Sequence, residues 1–359
     1  MSNVPQDAAS EVRKGEGLPL EVLQAYLKEH AGIQGPLEVK QFPSGFSNLT
    51  YLVTSGAQAW VLRRPPLGAN IATAHDMGRE YRVLTLLQPH FQKIPKPVLF
   101  CDDESVIGAP FYLMERVEGA ILRGQLPKGV QLAPDLMGKL SVQVAHALAD
   151  LHDVDLDASG LMDLGKPEGY VARQVKGWTK RYFAAETDKI SAMNELADWM
   201  ERNQPEQERA AFIHNDFKYD NLVLNPSDLT EIKAVLDWEM ATIGDPLMDL
   251  GTTLAYWAEA GDPDLLKPYN PSWLPGNLDR AAMAEQYCER RRINISQDEL
   301  LFYYVFGVFK VAVIGQQIYA RFKAGHSQDP RFGMLIHVVK ACAENGRLAL
   351  EKNKFSDLW

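Results

Sequence analysis

The sequence predicts a two-lobed α+β fold, with an antiparallel β N-lobe over residues 1–118 and a mainly helical C-lobe over residues 119–359. Three observations carry that prediction. Five short extended runs, with one helical stretch after the third, fill the first part of the chain. Beyond Gly119 the apolar spacing turns helical. A single short β-hairpin interrupts the helices of that second part.

The elements follow in order. Residues 1–17 read as a loose tail, with no apolar run behind their charges and so no signal peptide. Pro19 opens a helix whose apolar pattern runs through Leu27 and which Gly32 ends. Leu37–Phe42 and Thr50–Thr54 read as strands around the turn-rich loop Pro43–Leu49. A Ser55-Gly56 turn leads to a third strand, Ala59–Arg64, stopped by Pro65-Pro66, which completes an antiparallel meander. His75–Leu87 has helical spacing, and Val98–Cys101 and Phe111–Val117 are two further strands. In the second part Leu136–Leu151, Gly169–Ala185 and Ala192–Arg202 read as helices. The hairpin Leu222–Leu224 with Lys233–Leu236 follows. Helices return at Leu247–Glu259, Arg280–Arg292, Glu299–Lys323 and Arg331–Glu351.

Composition narrows the functional classes. The 359 residues suffice for two lobes that each bury a core, and 46% hydrophobic with 23% charged residues is the balance of a folded chain. A formal net charge of −10 argues against non-specific nucleic-acid binding, which needs a basic face. Cys101, Cys288 and Cys342 are far apart and form no CxxC pair, so neither a zinc site nor a disulfide framework is expected, and a cytoplasmic location fits. The apolar run Leu300–Ile314 is short of the roughly 20 residues of a membrane span and contains Lys310. It reads as a buried helix, with no membrane partner. His146 and His152 lie six apart, not at the i, i+4 spacing of a helical metal pair, and read as core or cap residues.

The chemistry concentrates in Phe212-Ile213-His214-Asn215-Asp216-Phe217-Lys218-Tyr219-Asp220-Asn221, an H-x-D-x-x-x-x-N segment with the spacing of a kinase catalytic loop. After the hairpin comes Val235-Leu236-Asp237-Trp238-Glu239. Phosphoryl transfer from ATP needs Mg²⁺ against the phosphate charge and a carboxylate for the attacking hydroxyl. Mg²⁺ takes oxygen ligands, which an Asp carboxylate and an Asn carbonyl supply. A hairpin can bring Asn221 and Asp237 to one metal while leaving Asp216 for the acceptor.

These segments resemble the aminoglycoside phosphotransferase family, a branch of the protein-kinase-like superfamily, over roughly residues 35–350. The resemblance implies a protein-kinase-like fold with ATP and Mg²⁺ as cofactors. Asp216 would be the catalytic base and Lys218 would face the γ-phosphate. Asn221 and Asp237 would hold Mg²⁺, with Glu239 as a further ligand and His214 packing the loop. Gly244-Asp245-Pro246 with Asp249-Leu250-Gly251 matches the family's next segment, in which Asp245 and Asp249 would start a helix and bond the catalytic loop.

In the N-lobe, Ser44, Gly45, Ser47 and Asn48 fall where the family's phosphate-covering loop lies, although G-x-G-x-x-G is absent. Arg63, in Trp60-Val61-Leu62-Arg63-Arg64, takes the place of the usual lysine, and an Arg can grip phosphate in its stead. Glu80 is its candidate partner. Glu115 and Val117 sit where the family's hinge holds adenine. Trp178, Tyr182 and Phe183 are either core or lining on the acceptor side.

The acceptor is expected to be a small hydroxylated molecule; the sequence leaves the oligomeric state open. From Arg280 onward 12 Lys and Arg stand against 8 Asp and Glu, including the run Arg290-Arg291-Arg292. That fits an anionic acceptor better than a polycationic aminoglycoside, unless those arginines are only solvated. Val61 to Gly68, V-L-R-R-P-P-x-G, resembles the kinase-like domains fused to acyl-CoA dehydrogenases, which implies a hydroxyacyl-CoA acceptor. The alternatives are an aminoglycoside 3′-type phosphotransferase and a non-catalytic nucleotide-binding module.

Overall fold

The computed structural model describes residues 8–43, 48–66, 76–127, 129–206, 209–327 and 329–359. Helix α1 (Leu20–Ala31) ends where Gly32 takes a left-handed φ of 66°. Strands β1 (Glu38–Gln41), β2 (Leu49–Ser55), β3 (Gln58–Arg64), β4 (Pro97–Cys101) and β5 (Phe111–Glu115) form one antiparallel sheet in the order β1-β2-β3-β5-β4. Helix α2 (Met77–Leu87) follows β3, capped by the Asp76 side chain. A one-turn helix, α3 (Glu104–Ile107), fills the turn expected between β4 and β5.

Strand alternation divides this sheet between two cores. Tyr51, Val53, Trp60, Leu62, Phe111 and Leu113 face α1 and pack with Leu23 and Leu27. Leu52, Val61, Tyr112 and Met114 face the other way, join Val83, Leu84 and Leu87 of α2, and run on into the core of the helical part. The tail is more fixed than its composition suggests over residues 8–17. Ser10 bridges Gln41 in backbone pairing, the Arg13 N–H donates to the Gln41 side chain, and the Tyr51 hydroxyl donates to the Glu16 carbonyl.

The helical part contains α4 (Pro134–His152), α5 (Tyr170–Ala185), α6 (Ser191–Arg202), α7 (Pro246–Tyr256), α8 (Arg280–Arg291), α9 (Gln297–Lys323) and α10 (Leu335–Lys352). Helix α9 packs against α5, α6, α7 and α10. It is long and apolar enough to cross a membrane by length and composition, and 78% of its most apolar window is buried inside the fold. Gly251 of α7 and Gly307 of α9 permit the closest crossing, since a Cβ at either would strike the other helix's backbone.

The hairpin is longer than its apolar residues indicate. It pairs β7 (Leu222–Asn225) with β8 (Asp228–Val235), whose early residues alternate with solvent and so carry no apolar run. A bulge shifts its register near Leu224, and Ala120 exchanges two backbone hydrogen bonds with that residue. A second small sheet, β6 (Ala211–Ile213) with β9 (Thr242–Gly244), was not expected; strands of three residues leave no periodic trace. It nonetheless sets the entry to the catalytic loop and the exit from Asp237 side by side.

Candidate active site

The loop after β6 is held from behind by buried groups of the helical part. Asn215 and Asp237 both adopt left-handed backbone conformations, with φ of 69° and 66°. Such conformations persist where surroundings enforce them. Asp249, in the first turn of α7, accepts the His214 and Asn215 N–H groups at 2.7 Å each. Its second-oxygen partner His152 donates from Nε2 at 3.0 Å, while the Tyr287 hydroxyl donates to His152 Nδ1 at 2.7 Å. Both imidazole nitrogens are thus used by the neutral ring. Burial lowers the His152 pKa against the opposing pull of Asp249. Burial alone would raise the Asp249 pKa, but the His152 bond and nearby cations outweigh it and hold it low. Asp245 caps α7 by accepting from the Leu247 N–H at 2.8 Å. The expectation that Asp245 starts the helix and Asp249 bonds the loop matches this geometry.

His214 packs the loop as expected. Its Nδ1 accepts the Asp216 N–H at 3.2 Å and its Nε2 donates to the Leu236 carbonyl at 2.9 Å, which ties the catalytic loop to the strand leading into Asp237. Lys310 reaches from α9 and donates to the Asn215 carbonyl and Oδ1 at 3.0 Å each, and to Thr252 Oγ1 at 3.4 Å. Burial pushes the Lys310 pKa down to about 8, although Asp249 and Asp216 pull it up. In the sequence Lys310 stands out only as the one charge within the apolar run Leu300–Ile314. A lone lysine in a buried apolar helix was itself the available signal, because such a charge needs partners.

On the open side, Asp216 is gripped at both oxygens. Lys218 Nζ stands 3.0 Å from Oδ1, and Asn221 Nδ2 donates to Oδ2 at 3.0 Å and to the Asp216 carbonyl at 2.8 Å. Burial opposes the Lys218 charge, but Asp216 first, then Tyr256 and Asp220, outweigh it and raise the pKa. The Lys218 ammonium also lies 4.6 Å from the ring centroid of Tyr256, at the end of α7. Tyr256 was missed, since an aromatic at a helix end carries no distinguishing pattern.

Arg63 and Glu80 pair at 3.0 Å as expected, and the Tyr112 hydroxyl donates to Glu80 at 2.7 Å. Arg63 further meets Asp237 at 3.1 Å and Glu239 at 3.8 Å. Burial opposes the Arg63 charge; Glu80 foremost, with Tyr112, Asp237 and Glu239, outweighs it. The same guanidinium outweighs burial at Asp237 and holds that carboxylate below its usual range. Arg63 thus links the sheet to both acids of the D-x-E segment. Among the described residues its Nε has no hydrogen-bond partner.

A magnesium site can be tested on this donor set. Among the described residues no group of three or more His, Cys, Asp and Glu could hold a metal by itself. Mg²⁺ bound with nucleotide requires less, one or two carboxylates plus substrate phosphates. Asn221 spends its amide nitrogen on Asp216 and leaves Oδ1 without a hydrogen bond among the described residues, and the Asp237 side chain is 37% exposed. Asn221 and Asp237 fit such a shared site.

Other expectations change. Ser44, Gly45 and Ser47 lie outside the described residues. Asn48 is buried, and its side-chain amide donates to Glu239 at 3.0 Å and Glu80 at 3.3 Å, so it bridges the two acids. Glu115 spends its N–H on the Lys96 carbonyl at 2.8 Å, which leaves its carbonyl, not its N–H, for an adenine contact; Val117 lies just beyond β5. Trp178 and Tyr182 are buried, whereas Phe183 is 49% exposed and not core. Arg290 and Arg291 pair with Asp150 and Asp153 of the α4 end at 2.7 and 2.8 Å. Their charge is locally balanced, so this run does not support an anionic acceptor site.

Residues 38–285 match the family profile described as the phosphotransferase enzyme family. The chain is 36% identical over 341 residues, 93% of its length, to acyl-CoA dehydrogenase family member 11 of Pongo abelii, and 35% identical over 340 residues to the Homo sapiens protein of that name. It spans 43% of the length of each of these relatives. A solved structure from Ralstonia eutropha, provisionally assigned as an aminoglycoside phosphotransferase, is 32% identical, with a TM-score of 0.81 over 94% of this chain and 99% of that one. Spectinomycin phosphotransferase, solved with ADP and spectinomycin, shares the fold at 14% identity and a TM-score of 0.59, over 91% of this chain and 98% of that one.

Proposed function

Because the chain belongs to the phosphotransferase enzyme family, we propose that it transfers the γ-phosphoryl group of ATP to a hydroxyl of a small acceptor, and that the acceptor is a hydroxyacyl-CoA. The observation that carries the reading is the pair of grips on Asp216, by Lys218 and Asn221, beside an Asp237 held by Arg63. In this role Asp216 orients the acceptor hydroxyl and takes its proton, while Lys218 offsets charge on the transferring group. Asn221 and Asp237 would hold Mg²⁺, with Glu239 near enough to assist; the ion, when bound, supplies charge neutralisation on the phosphates. Arg63 reaches the same acids from the N-lobe and stands ready for phosphate oxygens. Catalysis is then positioning and charge stabilisation.

The hydroxyacyl-CoA acceptor is supported by the relatives at 35–36% identity, whose names place the matched region in acyl-CoA dehydrogenase proteins. An aminoglycoside acceptor is the second reading, favoured by the provisional assignment of the Ralstonia protein. The deciding experiment incubates the protein with Mg²⁺-ATP and two acceptor sets, aminoglycosides and 3- and 4-hydroxyacyl-CoA esters, and reads products by mass spectrometry. Phosphorylated CoA ester is the expected result. A phosphorylated aminoglycoside alone would keep the machinery and overturn the acceptor. No product with either set despite ATP binding would favour a non-catalytic nucleotide-binding module.

A further inference from the structure

Helix α5 is basic without being neutralised. Its sixteen residues contain Arg173, Lys176, Lys180 and Arg181 and no Asp or Glu. Arg173 turns back to the Lys166 and Glu168 carbonyls. Lys176, Lys180 and Arg181 have no carboxylate at ion-pair distance among the described residues, and all three are exposed. Past the helix, Asp188 is engaged by Lys323 at 3.4 Å. This differs from the arginines of α8, each of which has its own aspartate.

Position gives that charge its meaning. Tyr170, Gln174, Gly177 and Arg181 follow one line along the helix at i, i+4, i+7 and i+11. At the start of the line Tyr170 lies against the Asn215 side chain, one residue before Asp216. Beside the line, Trp178 stands 5.8 Å from the Lys310 ammonium, which bonds Asn215. The Arg181 guanidinium lies 4.6 Å from the Trp178 centroid on the same ring. The arginine is therefore laid down on an aromatic platform beside the catalytic loop, with donors unspent among the described residues, and Lys180, the residue before it, adds a second exposed cation at its edge.

We propose that this face of α5, centred on Arg181 with Lys180 at its edge, binds a phosphate-bearing end of the acceptor while its hydroxyl lies at Asp216. The proposal rests on the small-molecule kinase reading above and deepens it, because a CoA ester carries its phosphates far from the acyl hydroxyl. A polycationic acceptor would be repelled by this face. The acidic total of the chain does not bear on the matter, since exposed charges beyond about 10 Å are screened at ordinary salt.

The test uses the full chain and the variant K180S/R181S, whose two side chains are exposed and whose melting temperature should match the parent. Calorimetric titration with CoA, in the presence of Mg²⁺ and a saturating non-hydrolysable ATP analogue to block the nucleotide cleft, should show binding to the parent and at least tenfold weaker binding to the variant. In turnover, KM for 3-hydroxybutyryl-CoA should rise at least tenfold in the variant with kcat kept. KM for 3-hydroxybutyryl-pantetheine, which lacks the phosphates, should not change. Equal CoA affinity in the two proteins, or no CoA binding to the parent, would overturn the site. Charge-dependent CoA binding without phosphorylation of either ester would overturn the hydroxyacyl reading and support the site.

Discussion

The two sides of the catalytic loop are built differently. Behind it, Asp249, His152, Tyr287, Thr252 and Lys310 form a buried network, and all come from the helical part. In front, Arg63 of β3, Glu80 of α2 and Asn48 just before β2 meet Asp237 and Glu239, and they satisfy each other across the two lobes. The rear network has no evident role for a ligand: it fixes the left-handed turn at Asn215 and so aims Asp216. The front cluster is an ion-pair arrangement that nucleotide and metal would have to join or rearrange. Substitutions in front should therefore alter turnover and metal dependence with little effect on stability, and those behind should alter loop placement.

The largest effect is expected for Asp216→Asn. The amide keeps the shape but cannot take the hydroxyl proton, so kcat should fall by about 10²–10⁴ while ATP affinity stays close to the parent's. Near-parental turnover of that variant would end the front-side assignment. Asp237→Asn comes next. Asparagine tolerates the left-handed φ of 66°, so backbone strain is not added. Nucleotide affinity should lose its Mg²⁺ dependence in calorimetry, with the melting temperature nearly unchanged because Glu80 still pairs Arg63. Parental metal dependence would remove Asp237 from the metal site.

Lys310→Met sharpens the rear side. Methionine fills similar space but supplies no donor, which loosens Asn215; a loosening of ~1.4 kcal/mol at the transition state lowers kcat about tenfold. The pH dependence has a definite sign. The groups facing Lys310 are Asp249 of α7, Asp216 and Lys218 of the catalytic loop and Arg181 of α5. Burial puts the Lys310 pKa at about 8, below the unfolded value, so between about 8 and the usual lysine range the unfolded chain binds the extra proton and global stability rises with pH. The ammonium, however, is the form with three donors for its three acceptors. Parental kcat should thus decline as pH rises through about 8 while the fold grows no weaker, and the decline should be absent in Lys310→Met. An identical alkaline limb in both proteins would detach Lys310 from loop positioning.

How much was legible follows from sequence distance. Asp216, Asn221, Asp237 and Asp249 lie within one segment, where fixed spacing reports chemistry, and the geometry places Asp216 with Asn221 and Asp249 behind the loop. The Arg63–Glu80 pair was readable through the family resemblance, which sets Arg63 at the usual lysine's place in the third strand and Glu80 in the helix that follows. Lys310 and Arg181 were not readable as site neighbours. They reach the loop only through the packing of α9 and α5, which a periodic apolar pattern implies but does not orient. The carboxylate partners of Asn48 were hidden for a related reason: an amide in a turn can face phosphate or carboxylate, and only the tertiary fold brings Glu80 and Glu239 to it.

The charge argument about the acceptor shows the same limit and yields the smallest expected effect. Counting residues gave a basic C-terminal region, and the run Arg290-Arg291-Arg292 was its most conspicuous part. In space Arg290 meets Asp150 on the end of α4, and Lys93 approaches the same aspartate at 3.9 Å. An exposed pair of this kind contributes at most about 1 kcal/mol, and the aspartate keeps a second cation when the arginine is removed. Arg290→Ser should therefore leave both the melting temperature and KM for a CoA ester within error of the parent. Among the described residues the α5 arginine has no such acid, so the same measurement on Arg181→Ser should move KM alone. If KM instead followed Arg290 and ignored Arg181, the anionic end of the acceptor would lie along α8, and the acceptor wall would have to be rebuilt on that side of the catalytic loop.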